Sequence, residues 1–191
     1  MPNAMIPRNT IHDWSEKIGE NALDSQSSLQ RVLKDQRRLT RFLEENAANL
    51  TPASAGVGVY LFGVVARLFD LAGGRLKGAT WAQVRAAQAK VAGVAGDLIP
   101  ADDGFADRVR KVEWRAQPHI LDEALMALFD RDDDDLGDDE VKLESDEGMK
   151  IFFLLWVATE VLDQNWRPAK GFAGEDTYTY VHIEPKKKET A

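Results

Sequence analysis

The sequence predicts an all-α fold, a bundle of five or six helices around one hydrophobic helix, with a minor β element near the C-terminus. Three observations carry that prediction. Apolar residues recur at three- and four-residue steps through most of the chain, the spacing that lines one face of a helix. Helix start and stop signals (Thr51-Pro52, Gly73-Gly74, Thr80 with Gln83, Pro118, Pro168) separate those periodic stretches. Only residues 177–183 alternate residue types with the period of a strand. The whole chain, 1–191, reads as one helical domain.

Taken in order, residues 1–10 contain Pro2 and Pro7 and are expected to form a flexible arm. Whether 12–19 makes a short helix is left open. A long first helix is predicted over 21–46, where Leu29, Val32, Leu33, Gln36, Leu39, Phe42 and Leu43 form a stripe. On another face Arg31, Lys34, Arg38 and Arg41 step by three, four and three.

Thr51-Pro52 starts the second helix. The threonine hydroxyl accepts from a free amide, and proline lacks only an N–H that would go unused. This helix runs to about 72 and is apolar nearly all round, which places it at the centre. Gly56, Tyr60, Gly63, Arg67 and Asp70 line up along it, and the glycines admit a close neighbouring backbone. Thr80 and Gln83 form a capping box for a third helix, 81–98. A fourth is predicted over 103–116, and Pro118 either kinks it or starts another over 118–129. The last helix, 145–165, ends before Pro168. Residues 184–191, with Lys186, Lys187 and Lys188, are expected to be a tail. The 177–183 strand would need a partner, and pairing with a second copy of the chain is one way to supply it.

Composition bounds the function. The 191 residues carry 32 Asp and Glu against 24 Lys and Arg, a net charge of −8, and no cysteine. Disulfides, thiolate metal sites and cysteine nucleophiles are thereby excluded, and a cytoplasmic location is expected. Residues 1–14 lack the apolar core of a secretory signal. The longest apolar stretch, 53–66, falls short of the roughly twenty residues a bilayer span requires, so no membrane span is expected. The acidic balance argues against general nucleic-acid binding. Charge is segregated: 130–147 holds eleven acidic residues against Arg131 and Lys142, whereas 31–41 holds five basic residues against Asp35.

Several candidate sites follow. Glu160 falls on the same face as Phe153 and Trp156, and Arg67 sits in the most apolar helix. Burying a charge is costly unless it is paired, so Arg67 and Glu160 either reach water near the helix ends, the favoured reading, or form an interior pair, Arg67 with Glu160 or with Asp70. With Tyr60, Arg67 and Glu160 are the candidate ligand-binding residues. The 130–140 loop is a candidate for Ca²⁺ or Mg²⁺. Setting Gly137 as the sixth position of a calcium loop puts Asp132 and Asp134 at one and three, but leucines (Leu136, Leu143) at five and twelve, where carboxylates or other oxygens belong.

Glu144-x-x-Glu147, then Glu160-x-x-Asp163 after twelve residues, resembles the acidic signature of the all-α nucleotide pyrophosphohydrolases of the MazG type. That resemblance covers twenty residues and implies that Glu144, Glu147, Glu160 and Asp163 would gather around Mg²⁺. If 145–165 is one unbroken helix, however, Glu147 and Glu160 stand about 20 Å apart, so the signature requires a turn near 148–150. His12, His119 and His182 have no metal-binding spacing. Ser25, Ser27 and Ser28 lie in no nucleophile elbow, and Gly56-Val57-Gly58 is not a phosphate loop.

The leading expectation is a non-enzymatic interaction or adaptor module, binding a protein partner or itself as a homo-oligomer through its segregated charges. Arg31, Lys34, Arg38 and Arg41 are its candidate partner-binding residues, and no cofactor is called for. Two alternatives stand beside it: a Mg²⁺-dependent hydrolase using the four carboxylates, and a binding protein for an apolar small ligand beneath the second helix. Melts with and without divalent cation separate the first two.

Overall fold

The computed structural model describes residues 2–130 and 143–183, with 22–25 as backbone only. Among these residues the chain forms α1 (Arg8–Glu20), α2 (Ala22–Asp35), α3 (Arg37–Ala47), α4 (Pro52–Leu71), β1 (Arg75–Leu76), α5 (Trp81–Leu98), α6 (Phe105–Arg110), α7 (Pro118–Phe129), α8 (Ser145–Asn165) and β2 (Trp166–Arg167). The protein is mainly helical, with eight helices among the described residues where five or six were expected. Nearly all of the candidate Ca²⁺ or Mg²⁺ loop, most of the acidic segment and the lysine tail lie outside the described residues.

α4 packs against α1, α2, α3, α7 and α8, as a central helix does, but the most deeply buried helix is α8. α8 packs against α4, α5, α7 and α3, and Ile151, Phe152, Leu155, Trp156, Ala158, Val161 and Leu162 are wholly buried on all its sides. α4 has the more continuous apolar sequence and is, by length and composition alone, capable of crossing a membrane. Here it buries Phe62, Val65, Ala66, Leu68 and Phe69 but leaves Tyr60 46% and Leu71 38% exposed. Sequence composition alone does not reveal which side of such a helix its neighbours leave uncovered. One of the expected close approaches does occur: a Cβ on Gly63 would lie 2.5 Å from Leu29 Cδ1, so α2 crosses α4 there.

The predicted caps hold. The Thr51 hydroxyl accepts from the Ser54 N–H, and Thr80 with Gln83 forms a reciprocal capping box. Two long predicted helices, however, are divided. The 21–46 helix breaks at Gln36, where the Thr40 hydroxyl donates to the Leu33 carbonyl at 2.9 Å; the buried Gln36 amide accepts from the Ala79 N–H at 3.1 Å and donates to the Lys77 carbonyl at 3.2 Å. The 103–116 helix ends at Arg110, and beyond it the Arg115 guanidinium donates to the Arg110 and Val112 carbonyls at 2.9 and 3.0 Å, while Glu160 accepts from the Ala116 N–H at 2.7 Å.

The two ends also depart from expectation. Residues 3–6 are pinned rather than frayed: Met5 pairs its backbone with Glu175, Asn3 bonds to Asp163 and Trp166, and Ile6 is fully buried. The expected 177–183 strand does not form. The only ladder among the described residues joins Arg75 to Arg167 and Leu76 to Trp166, antiparallel. It depends on Gly74 (φ 92°), where a Cβ would sit 2.2 Å from the Arg167 carbonyl oxygen. The alternation at 177–183 serves another purpose: it puts the Tyr178 and Tyr180 rings over the Arg115 and Arg110 guanidiniums, 4.8 and 3.8 Å away.

Candidate functional site

α1 and α2 both pack against α4, and between the three helices lies a partly open cavity of about 550 Å³. Trp14, Ile18, Leu29, Tyr60, Val64 and Leu71 supply its apolar wall, with Lys17 and Arg67 as its cations. The local reason is periodicity. Trp14, Lys17 and Ile18 share one face of α1, and Tyr60, Gly63, Val64, Arg67 and Leu71 share one face of α4. Gly63, lacking a side chain, lets Leu29 pack directly against the α4 backbone at the cavity wall. On the other side of the α1–α4 contact a second cavity of about 260 Å³ shares Gly19, Tyr60 and Val64 with the first and reaches α7 at Ile120 and Glu123.

Two of the three predicted ligand-binding residues, Tyr60 and Arg67, therefore line one cavity, and Glu160 does not. The interior pair does not form: Arg67 Nη1 bonds to Asp70 on its own helix at the surface, where the Asp70 side chain is 43% exposed, and Arg31 Nη2 holds the same Asp70 oxygen at 2.6 Å. Glu160 is 3% exposed and is satisfied elsewhere. It accepts from the Ala116 N–H, from the Trp156 indole at 3.3 Å and from Lys90 Nζ at 2.8 Å. Lys90 in turn lies 4.0 Å above the Trp114 ring, which stacks on Trp156.

The four carboxylates of the Mg²⁺ signature are not gathered. α8 runs unbroken from Ser145 to Asn165, so the turn that the signature requires is absent and Glu144 sits at its N-terminal cap. Glu147 bonds to Thr51 and Ser54 at the start of α4, and the Ser54 hydroxyl holds its carboxyl below the usual range. Asp163 accepts from Gln117 Nε2 at 2.9 Å and from the Asn3 N–H at 3.1 Å, and burial raises its pKa. No group of three or more His, Asp or Glu is placed to hold a metal ion among the described residues. The predicted partner-binding stripe is divided by the break at Gln36, which leaves Arg31 and Lys34 on α2 and Arg38 and Arg41 on α3. Arg41 bonds to Glu45, and Arg38 to the Ala79 carbonyl.

A second polar cluster holds the chain ends. Asp122 is fully buried, accepts from the Tyr178 hydroxyl at 3.0 Å, and lies 3.5 to 4.0 Å from Arg110, Arg115 and His119. His119 Nε2 meets Glu175 at 2.9 Å. Burial pushes the His119 pKa below its ordinary 6.5, against the opposing pull of Glu175 and Asp122. Because the folded state binds this proton less well than the unfolded chain, the resulting stability is present above about pH 6.5 and is lost as pH falls through the interval below it. Melting temperature should therefore fall between about pH 7.5 and about pH 5.5, and less steeply in His119→Gln. Equal slopes in the two proteins would reject this assignment.

The sequence reading missed Trp14, Lys17, Ile18, Leu29, Val64 and Leu71 as one set. A usable signal was present in the face shared by Tyr60, Val64, Arg67 and Leu71, but nothing local told that 12–18 would fold back over it. Compared with protein-family models, curated proteins and solved structures, the chain matches none.

Proposed function

We propose that the protein binds a small, largely apolar ligand in the cavity between α1, α2 and α4. One observation carries this: about 550 Å³ of space, walled by Trp14, Ile18, Leu29, Tyr60, Val64 and Leu71, beside a helix whose apolar surface its neighbours leave partly uncovered at Tyr60 and Leu71. The volume falls within the range of sites that enclose one small molecule, and such sites are mostly apolar with a few polar groups that set orientation. Apolar surface left against water is unfavourable by roughly 25 cal/mol per Å², and a ligand seated there would remove that cost. The adaptor and homo-oligomer expectation rests on charge segregation whose acidic half lies mostly outside the described residues, so geometry favours the cavity.

The test uses 1-decanol, an uncharged single-chain probe. A ligand that binds only the folded state raises the melting temperature as its concentration rises. At about 100 times the dissociation constant the gain is about 2.7 kcal/mol, or roughly 5–10 °C for a chain of this size. Val64→Trp, which fills the cavity, should fold and show no such rise. A wild-type melting temperature indifferent to decanol would defeat the proposal, as would an equal rise in Val64→Trp.

A further inference from the structure

We infer that the ligand is an anionic amphiphile, a single alkyl or acyl chain ending in an oxyanion, with its head held by Lys17 and Arg67. The inference presupposes that the cavity is a ligand site and adds the chemistry of the ligand's polar end.

The first support is the charge of the lining. Among the described lining residues the charged ones are Lys17 and Arg67. The second is how the neighbouring charge is arranged. The nearby carboxylate, Asp70, is shared between Arg67 and Arg31, so one negative charge faces two guanidiniums and the group retains a net positive charge. Arg67 spends Nη1 on Asp70, whereas a guanidinium carries five N–H donors in a fork suited to a carboxylate or phosphate. Its side chain is 32% exposed, so the head group would meet it where water is partly excluded, the setting in which charge-assisted hydrogen bonds are stronger than in bulk water.

The third support is that the cations sit within the apolar wall. Along α4, Arg67 stands one turn beyond Gly63 and Val64 and one turn before Leu71. Along α1, Lys17 stands between Trp14 and Ile18 on the lining face. An aliphatic chain laid over Val64, Leu29 and Trp14 would thus have a cation within reach on each helix. Apolar contact alone would accept an alcohol as readily as an acid; the two cations make the difference.

The experiment compares three probes that share one chain (decanol, decanoate and decyl phosphate), each kept below its micelle concentration and titrated calorimetrically into the full chain. The inference requires at least one of the two anions to bind roughly tenfold more tightly than decanol, the increment of a charge-assisted contact. Whichever anion gains more identifies the head group. That gain should disappear in Lys17→Gln and in Arg67→Gln, with cooperative thermal melts of both variants confirming that they are folded. Decanol and both anions binding equally would overturn the charged-head inference and leave the cavity as a ligand site. Failure of all three to bind would overturn both. An anion preference unaltered in both variants would also overturn it, by placing the head elsewhere.

Discussion

Glu160→Ala should lose about 2–4 kcal/mol of stability, because truncation leaves two buried donors, the Ala116 N–H and the Trp156 indole, without an acceptor. In a chain of this length that is a fall in melting temperature on the order of 10 °C. Lys90, the third donor, is 42% exposed and returns to water, so Lys90→Ala should lose no more than about 1 kcal/mol. Glu160→Gln keeps an acceptor and should lie between the two. Thermal or urea unfolding of the three variants checks the order. A Lys90→Ala loss as large as that of Glu160→Ala would mean that the ion pair, not the acceptance of two buried N–H groups, is what holds α8 to the 111–117 segment.

Trp166→Ala should lose about 3–5 kcal/mol, the usual result of deleting a large buried aromatic. The ring is wholly buried, meets Phe69 and Phe172 edge-on at 5.5 and 5.0 Å, and donates from its indole to the Gly73 carbonyl at 2.8 Å. Trp166→Phe keeps most of the packing and should lose about 1–2 kcal/mol, mainly for the Gly73 carbonyl left without its donor. Urea denaturation of both proteins separates packing from hydrogen bonding. If Phe and Ala prove equally damaging, the indole bond outweighs the aromatic contacts.

The parts of the fold legible in the sequence were those set by local rules. Thr51, Pro52, Thr80, Gln83, Pro118, Gly73 and Gly74 each act within one turn of themselves, and each falls at the boundary it marks. What escaped was set by distant partners. Gln36 is buried against Lys77 and Ala79, the 111–116 segment that follows α6 is tied to Glu160, and the ordering of residues 3–6 needs Gln117, Asp163 and Glu175. Gln117 combines both: it is a buried non-glycine residue at φ 46°, held by bonds to Ile6, Ala4 and Asp163 that no local pattern announces.

The same division applies to the candidate site. A charged residue inside an apolar helix marked Arg67 as a position needing explanation, and Tyr60 lay on its line. Glu160 drew notice for the same reason, yet its explanation is structural, since a backbone amide and an indole occupy it. Trp14, Lys17 and Ile18 gave no comparable sign, because their importance comes from where α1 lands. The acidic motif on α8 was misleading because spacing along a sequence says little until the helix carrying it is known to bend or to run straight, and α8 runs straight.

The central claim, that the α1–α2–α4 cavity is a ligand site, is tested most directly by methyl NMR of the full chain during a decanol titration. Saturable shifts should concentrate on Ile18, Leu29, Val64 and Leu71, with methyls around α8 such as Ile151 and Val161 unmoved. Shifts that never saturate, or that centre on methyls remote from the cavity, would contradict it.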